Sequence, residues 1–374
     1  MKKLFKTITI SAIAFTALVA CGDSNKNQNN QSNAQPHETF KVGMMIDSGT
    51  IDDKSFNQGT WEGIKRYESE HKGVSAQYVQ PAGEAKEDYL NVADNLMMAG
   101  NQIIVAPGFK FEEAVSELAV ANPDVKFIIL DGQPENMQDN TVAIYFTEQE
   151  AGFLAGVAAA LQSKTGKVGF IGGMQIPSVE KFGWGYIAGV AYMNKTYGTN
   201  VEVLDYLYNG TFYDVQGGQA QAGGMYDKGI DIIFSAAAAV GNGVINEAKA
   251  RTESGEEVFV IGVDVDQYEE GLMNDGKSVI LTSAIKRIDN ATYDALDDYA
   301  NGEFPGGQVI TMDVKSNGVG LPTENPNLSV NTMLKVEEVL TLIKEGTIVV
   351  PTSADALETM LTELEQSFSS INFH

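Results

Sequence analysis

The sequence points to an α/β protein built from two doubly wound lobes. Three observations point there. From Lys41 onward, apolar runs of strand length alternate with segments of helix length. Most of the runs are continuously apolar rather than alternating, as strands buried on both faces of a parallel sheet are. And the 374-residue chain holds more such units than one sheet of ordinary width accommodates. Two Rossmann-like lobes joined by a hinge that the chain crosses several times satisfy all three.

Taken in order, the strand runs are Lys41–Asp47, Gln102–Pro107, Lys126–Asp131, a short one at Thr141–Phe146, Lys167–Gly172, Val201–Tyr206, Ile230–Ser235, Val258–Asp264 and Ser278–Ile285. Helices are expected at Ser55–Lys72, Phe111–Ala121, Glu148–Gln162, Ser178–Tyr197, Tyr213–Lys228 and Gly241–Arg251. The chain is expected to divide near Phe146–Glu148, and the runs Ser278–Ile285 and Gln308–Val314 to return to the first lobe. The expected first lobe is 40–147 with a return segment at about 283–325. The second is 148–282 with a C-terminal segment at about 326–374, whose helical stretches near Val330–Lys344 and Ser353–Phe368 pack onto the lobes.

Ahead of the lobes, Lys2, Lys3 and Lys6 precede a mostly apolar stretch, Thr7–Ala20, too short for a permanent membrane span. It ends in Leu18-Val19-Ala20-Cys21, the pattern of a lipobox. Residues 1–20 therefore read as a lipoprotein signal peptide, and Cys21, the only cysteine, as an acylated N-terminus carrying several acyl chains. Residues 21–39 begin with an Asn-, Gln- and Ser-rich stretch without apolar period and read as a flexible tether. The expected location is the extracytoplasmic face of a cell membrane, held by the lipid.

The formal net charge of −25 repels nucleic acid, and no nucleic-acid partner is expected. One cysteine forms neither an internal disulfide nor a multi-cysteine metal site. The three histidines, His37, His71 and His374, are too scattered to converge on catalysis or a metal. Phosphate-loop, nucleophile-elbow and zinc-protease motifs are missing, and Gly241-Asn242-Gly243 lacks the third glycine of a dinucleotide fingerprint. Adjacent Asp52 and Asp53 read as a helix cap rather than an acid–base pair. A monomeric binder without cofactor is expected, not an enzyme. Asp47, Asp131 and Asp264 each follow a strand run, where open parallel sheets bind ligands.

The run Asp47-Ser48-Gly49-Thr50-Ile51-Asp52-Asp53-Lys54-Ser55-Phe56-Asn57-Gln58, followed by Trp61-Glu62-Gly63, resembles the opening of the basic membrane protein family, the PnrA-like purine-nucleoside receptor lipoproteins. Further matches follow in order: Pro123–Phe127 leading to Leu130-Asp131-Gly132, Glu150–Gly156, Gly169–Gly173, Gly210–Asp214, Ile261–Gln267 and Thr282–Lys286. The resemblance runs from about Lys41 to Leu321. It implies the type I periplasmic-binding-protein fold, an ABC importer as partner, and a purine nucleoside (inosine, guanosine or adenosine) as ligand.

The resemblance also implies roles. Phe56 and Phe212 sandwich the base, Asp47 and Asn57 read its edge, and Asp131, Asp264 and Lys286 hold the ribose, with Lys286 offsetting the buried carboxylates. The loop Gln175–Gly185 closes over the ligand, with Phe182 and Gly183 in contact. One departure stands out: where relatives carry a glycine-rich turn, this chain has Ala236-Ala237-Ala238-Ala239-Val240-Gly241. Other readings compatible with the same fold are a receptor for a sugar or signal molecule, and a surface adhesin or signalling lipoprotein.

Overall fold

The computed structural model describes residues 39–47 and 49–374. The expected signal peptide, the acylation site Cys21 and all but the last residue of the expected tether lie outside those residues. In chain order the first elements are β1 (Lys41–Met45), α1 (Phe56–Glu70), β2 (Ser75–Val79), α2 (Lys86–Met98), β3 (Ile103–Pro107), α3 (Glu112–Ala121), β4 (Lys126–Leu130) and β5 (Thr141–Phe146). Then follow α4 (Glu148–Gln162), β6 (Lys167–Gly172), α5 (Pro177–Tyr197), β7 (Glu202–Tyr208), α6 (Val215–Asp227), β8 (Ile232–Ala236), α7 (Ala239–Glu253) and β9 (Phe259–Asp264). The last are β10 (Ile280–Lys286), α8 (Ile288–Ala300), β11 (Val309–Met312), β12 (Val319–Gly320), α9 (Val330–Lys344) and α10 (Ala354–Glu363).

Two six-stranded sheets result, ordered β11-β5-β4-β3-β1-β2 and β12-β10-β9-β8-β6-β7. The pairings are parallel except for the short antiparallel β12. Central strands β3, β8 and β10 are buried at every position, which is why they read as unbroken apolar runs. In each sheet the strand order reverses at the first strand: β1 lies between β2 and β3, and β6 between β7 and β8. Such reversals open a crevice beyond the carboxyl ends of the strands.

One expectation needs correction. The run Ser278–Ile285 does not return to the first lobe: it forms β10 beside β9 in the second sheet. Only the later run returns, as β11 beside β5. A fully apolar strand fits the middle of either sheet, so composition does not assign it; β10 is seated by its parallel register, Ser283 opposite Gly262 and Ile285 opposite Asp264.

The helices flanking the crossings are held by contacts across α4/α5 and α1/α8. After β5, α4 lies against α5 so closely that a Cβ on Gly152 would stand 2.3 Å from the Phe182 carbonyl oxygen. That approach explains the small-residue run of α4 and ties α4 to the second sheet's side. After β10, α8 lies on α1, with Asp289 accepting from Arg66 at 3.1 Å.

Candidate functional site

The segment between β1 and α1 is organised by Asp53. Its carboxylate accepts from the backbone N–H groups of Ser55 (2.9 Å), Asn57 (2.9 Å) and Gln58 (3.1 Å), closing the first turn of α1. Burial nevertheless pushes the Asp53 carboxyl up to about 6, outweighing those hydrogen bonds. The cap fixes the direction of Phe56 and Asn57, and Asn57 Nδ2 donates to Asp47 Oδ1 at 3.1 Å. Neighbouring Ser55 donates from Oγ to Asp264 Oδ2 at 2.5 Å, bridging to the second sheet.

Three residues at strand ends take positive φ. Asp131 (φ 52°) follows β4 and Asp264 (φ 66°) closes β9, a conformation that aspartate tolerates better than most residues. Ala238 (φ 47°, ψ −127°) follows β8 in a conformation favoured by glycine, within the alanine run that departs from the family pattern. Backbone of this kind is held in place by its surroundings and gathers at ligand sites.

The charges centre on Lys286, at the end of β10 and nearly sealed from solvent. Its ammonium donates to Asp131 Oδ2, stands 3.4 Å from Glu148 Oε1, and lies over the rings of Phe56 (4.9 Å) and Phe146 (5.0 Å). Burial alone would depress the Lys286 pKa; Asp131, Glu148 and Asp264 together reverse that and hold it above its ordinary value. One buried cation cannot compensate three carboxylates, two of them (Glu148 and Asp264) buried. The excess falls on Glu148, which burial pushes up to about 7 against the pull of Lys286 and of Lys181, 3.5 Å away. Asp264 is also raised, by burial first, although Lys286 and Ser55 oppose it.

These groups border a cavity at the carboxyl ends of both sheets. Eight of the nine expected ligand residues line it: Asp47, Phe56, Asn57, Asp131, Phe182, Phe212, Asp264 and Lys286. Phe212 approaches through the second sheet's loop after β7, where Gly173 makes room: a Cβ there would sit 2.3 Å from the ring. Gly183 is the exception. It is buried against β7, where a Cβ would fall 2.0 Å from Tyr206 Oη, so its glycine serves helix–sheet packing. The expected closing loop Gln175–Gly185 is also corrected, because from Pro177 it is the start of α5. Pro177 at the first helical position supplies the fixed φ that begins a helix there.

Further residues complete the lining, three of them (Ile176, Ser178 and Val179) from within the expected Gln175–Gly185 segment. Ile176, Val179 and Val263 add apolar wall, Phe109 a further ring, and Ser178 a hydroxyl-bearing residue. Ala236, Ala237 and Ala238 border the same space, so the alanine run does shape the cavity. Asp131 Oδ1 is buried and has no hydrogen-bond partner among the described residues, while Oδ2 is engaged by Lys286. An acceptor in that position suits a hydroxyl or amine donor.

The model of the ABC transporter substrate-binding proteins described as PnrA-like matches residues 40–354. The chain belongs to this family. The CD4+ T-cell-stimulating antigen of Listeria innocua is 36% identical to it over 363 residues, 94% of this chain and 99% of that protein. The ABC transporter nucleoside-binding protein BmpA of Lactococcus lactis subsp. cremoris is 34% identical over 361 residues, again 94% of this chain and 99% of that one. Among solved structures, an ABC transporter solute-binding protein of Aeropyrum pernix K1 superposes with a TM-score of 0.74 at 27% identity, covering 87% of this chain and 97% of that chain.

The type I periplasmic-binding-protein fold is thus the fold of this PnrA-like chain, and its role is that of a substrate-binding protein of an ABC transporter. Such proteins work outside the cytoplasm. Among the described residues no helix is long and apolar enough to cross a membrane.

Proposed function

We propose that this PnrA-like protein captures purine nucleosides in the cavity and delivers them to an ABC importer, while tethered to the extracytoplasmic face of the membrane through a lipid on Cys21. The observation that carries this reading is the composition of the cavity. Phe56 and Phe212 come from opposite sheets, and the polar group of Asp131, Asp264 and Lys286 lies in the same wall. A purine offers two flat faces, each stack worth roughly 1–3 kcal/mol, and needs no net charge on its partner. Ribose offers hydroxyl donors, for which Asp131 Oδ1 is a ready acceptor. Asp47 and Asn57, joined to each other at 3.1 Å, present further polar atoms for the edge of the base. The name of the Lactococcus lactis relative, a nucleoside-binding protein, supports the same class of ligand.

The test is a thermal-shift series with inosine, guanosine, adenosine, cytidine, uridine and free pentoses. A ligand at about 1,000 times its dissociation constant adds roughly 4 kcal/mol of stability. Stabilisation by purine nucleosides, weakened in Phe56→Ala and Phe212→Ala, is the expected result. Stabilisation by pentoses alone would replace the nucleoside with a sugar. For the anchor, Cys21→Ser should release the protein from the membrane fraction of expressing cells; retention there would refute the lipid.

A further inference from the structure

We propose that Glu148, which lies behind the cavity wall, is a positioning residue that makes closure of the cleft, and hence ligand capture, proton-linked. The argument begins with which groups move together. Glu148 opens α4, and α4 is locked onto α5 by backbone approach at Gly152 and Gly156, where a Cβ would stand 2.3 Å from the carbonyl oxygens of Phe182 and Tyr186. Lys286 ends β10 of the second sheet, so Glu148 and Lys286 belong to the same side. Asp131 follows β4 of the first sheet, and its pairing with Lys286 spans the cleft. So do Ser55 to Asp264 (2.5 Å) and Gln267 Nε2 to the Lys54 carbonyl (2.8 Å). Opening the cleft separates Lys286 from Asp131 and leaves it with Glu148 and Asp264.

Glu148 is therefore a resident counter-ion of Lys286, as is Asp264 at the end of the neighbouring β9, and Asp131 is the one that arrives on closing. The arrival has a cost. It brings a further carboxylate to a buried cation already served by Glu148 and Asp264, and Asp131 and Glu148 repel each other. The groups facing Glu148 are Lys286 from β10, Asp131 after β4, Lys181 from α5 (3.5 Å) and, through the shared cation, Asp264 at the end of β9; Tyr145 on β5 also senses its charge. Of these Asp131 and Tyr145 belong to the first sheet and move away on opening, and of the two only Asp131 carries a charge between about pH 6 and about pH 8.5, because burial pushes the Tyr145 hydroxyl up to about 12. A proton on Glu148 removes that repulsion and leaves Lys286 to Asp131 and Asp264. The closed form thus binds that proton more tightly than the open form, and by linkage closure strengthens as pH falls. Substitution by glutamine imitates the protonated state.

This inference rests on the reading of the cavity as a cleft that closes, but not on the identity of the ligand, and its test separates the two. Small-angle X-ray scattering of the ligand-free protein between about pH 6 and about pH 8.5 reads closure directly as a falling radius of gyration. The expected results are a wild type that compacts as pH falls, a Glu148→Gln variant that is compact throughout, and a Glu148→Asp variant that regains the pH dependence. Lys181→Met, which removes a cation that favours ionised Glu148, should move the wild-type midpoint to higher pH. It does so from a partly exposed position that tolerates change, so it decides the matter if Glu148→Gln fails to fold by circular dichroism. Titration with inosine adds a second readout: affinity tightening by up to about tenfold per unit of falling pH in the wild type, and flat in Glu148→Gln. Wild-type pH dependence surviving in folded Glu148→Gln, compaction with rising pH, or an unmoved midpoint in Lys181→Met would each overturn the proposal. Compaction without binding of inosine, guanosine or adenosine would uphold it and reject the nucleoside instead.

Discussion

Replacing Lys286 with methionine tests the electrostatic account of the site most severely. Methionine keeps the length and most of the apolar stem, so the change isolates the charge. The structure sets the magnitude. Lys286 is buried, and its ammonium is shared by Asp131, Glu148 and Asp264. Removing one partner of a buried ion pair typically costs about 3–5 kcal/mol, because the remaining charge has no compensation. Proton uptake relieves part of this. Without the cation the carboxyls of Glu148 and Asp264, already raised by burial, rise further above their unfolded values, so the folded variant binds protons that the unfolded chain releases. Its stability deficit is then largest at high pH and shrinks as pH falls. Urea unfolding at about pH 8 and about pH 5.5 reads both quantities. The expected deficit is about 3–5 kcal/mol at the higher pH and distinctly less at the lower. A deficit under about 1 kcal/mol at pH 8, or one that grows on acidification, would refute the claim that Lys286 holds an excess of buried negative charge.

Two further outcomes follow from backbone geometry. Ala238→Gly removes a strain of about 1–3 kcal/mol at φ 47° while adding about 0.5–1 kcal/mol of unfolded-state entropy. The net expectation is a melting temperature raised by a few degrees, and a fall would show that the alanine methyl is worth more than its strain. Gly152→Ala places a methyl 2.3 Å from the Phe182 carbonyl oxygen and should destabilise by about 1–3 kcal/mol, read as a lowered melting temperature; an unchanged value would mean that α4 and α5 are not locked.

Much of this architecture was legible because buried parallel strands announce themselves. The runs that became β3, β4 and β9 have almost no polar residue to interrupt them. What escaped was polar or ambiguous. The edge strand β2, Ser75–Val79, is largely exposed and carries Ser and Gln, and α2 is studded with Lys, Glu, Asp and Asn. Both are held by tertiary pairing more than by their own pattern. In the cavity, Asp47, Asp131 and Asp264 could be found because each closes a strand run, and positive φ at the last two shows how the turn aims them. Glu148 could not. It lies one residue past Thr147, which joins β5 to α4, and its partnership with Lys286 exists only once two distant segments meet. Phe109 carries no sequence signal beyond being apolar. Gly183 misled for a related reason: a glycine in a family motif can serve a ligand or a neighbouring Tyr206, and only the geometry separates the two.

The central claim is that the aromatic and charged cavity of this PnrA-like protein takes a purine nucleoside. Isothermal titration calorimetry of the purified protein with inosine, guanosine and adenosine tests it most directly, with Phe56→Ala as comparison. The account predicts one site per chain for at least one purine nucleoside. It also predicts an affinity loss of about 5- to 150-fold in Phe56→Ala, the equivalent of one lost stack of roughly 1–3 kcal/mol. A folded protein that binds none of the three, or binds them equally well without the Phe56 ring, would contradict it.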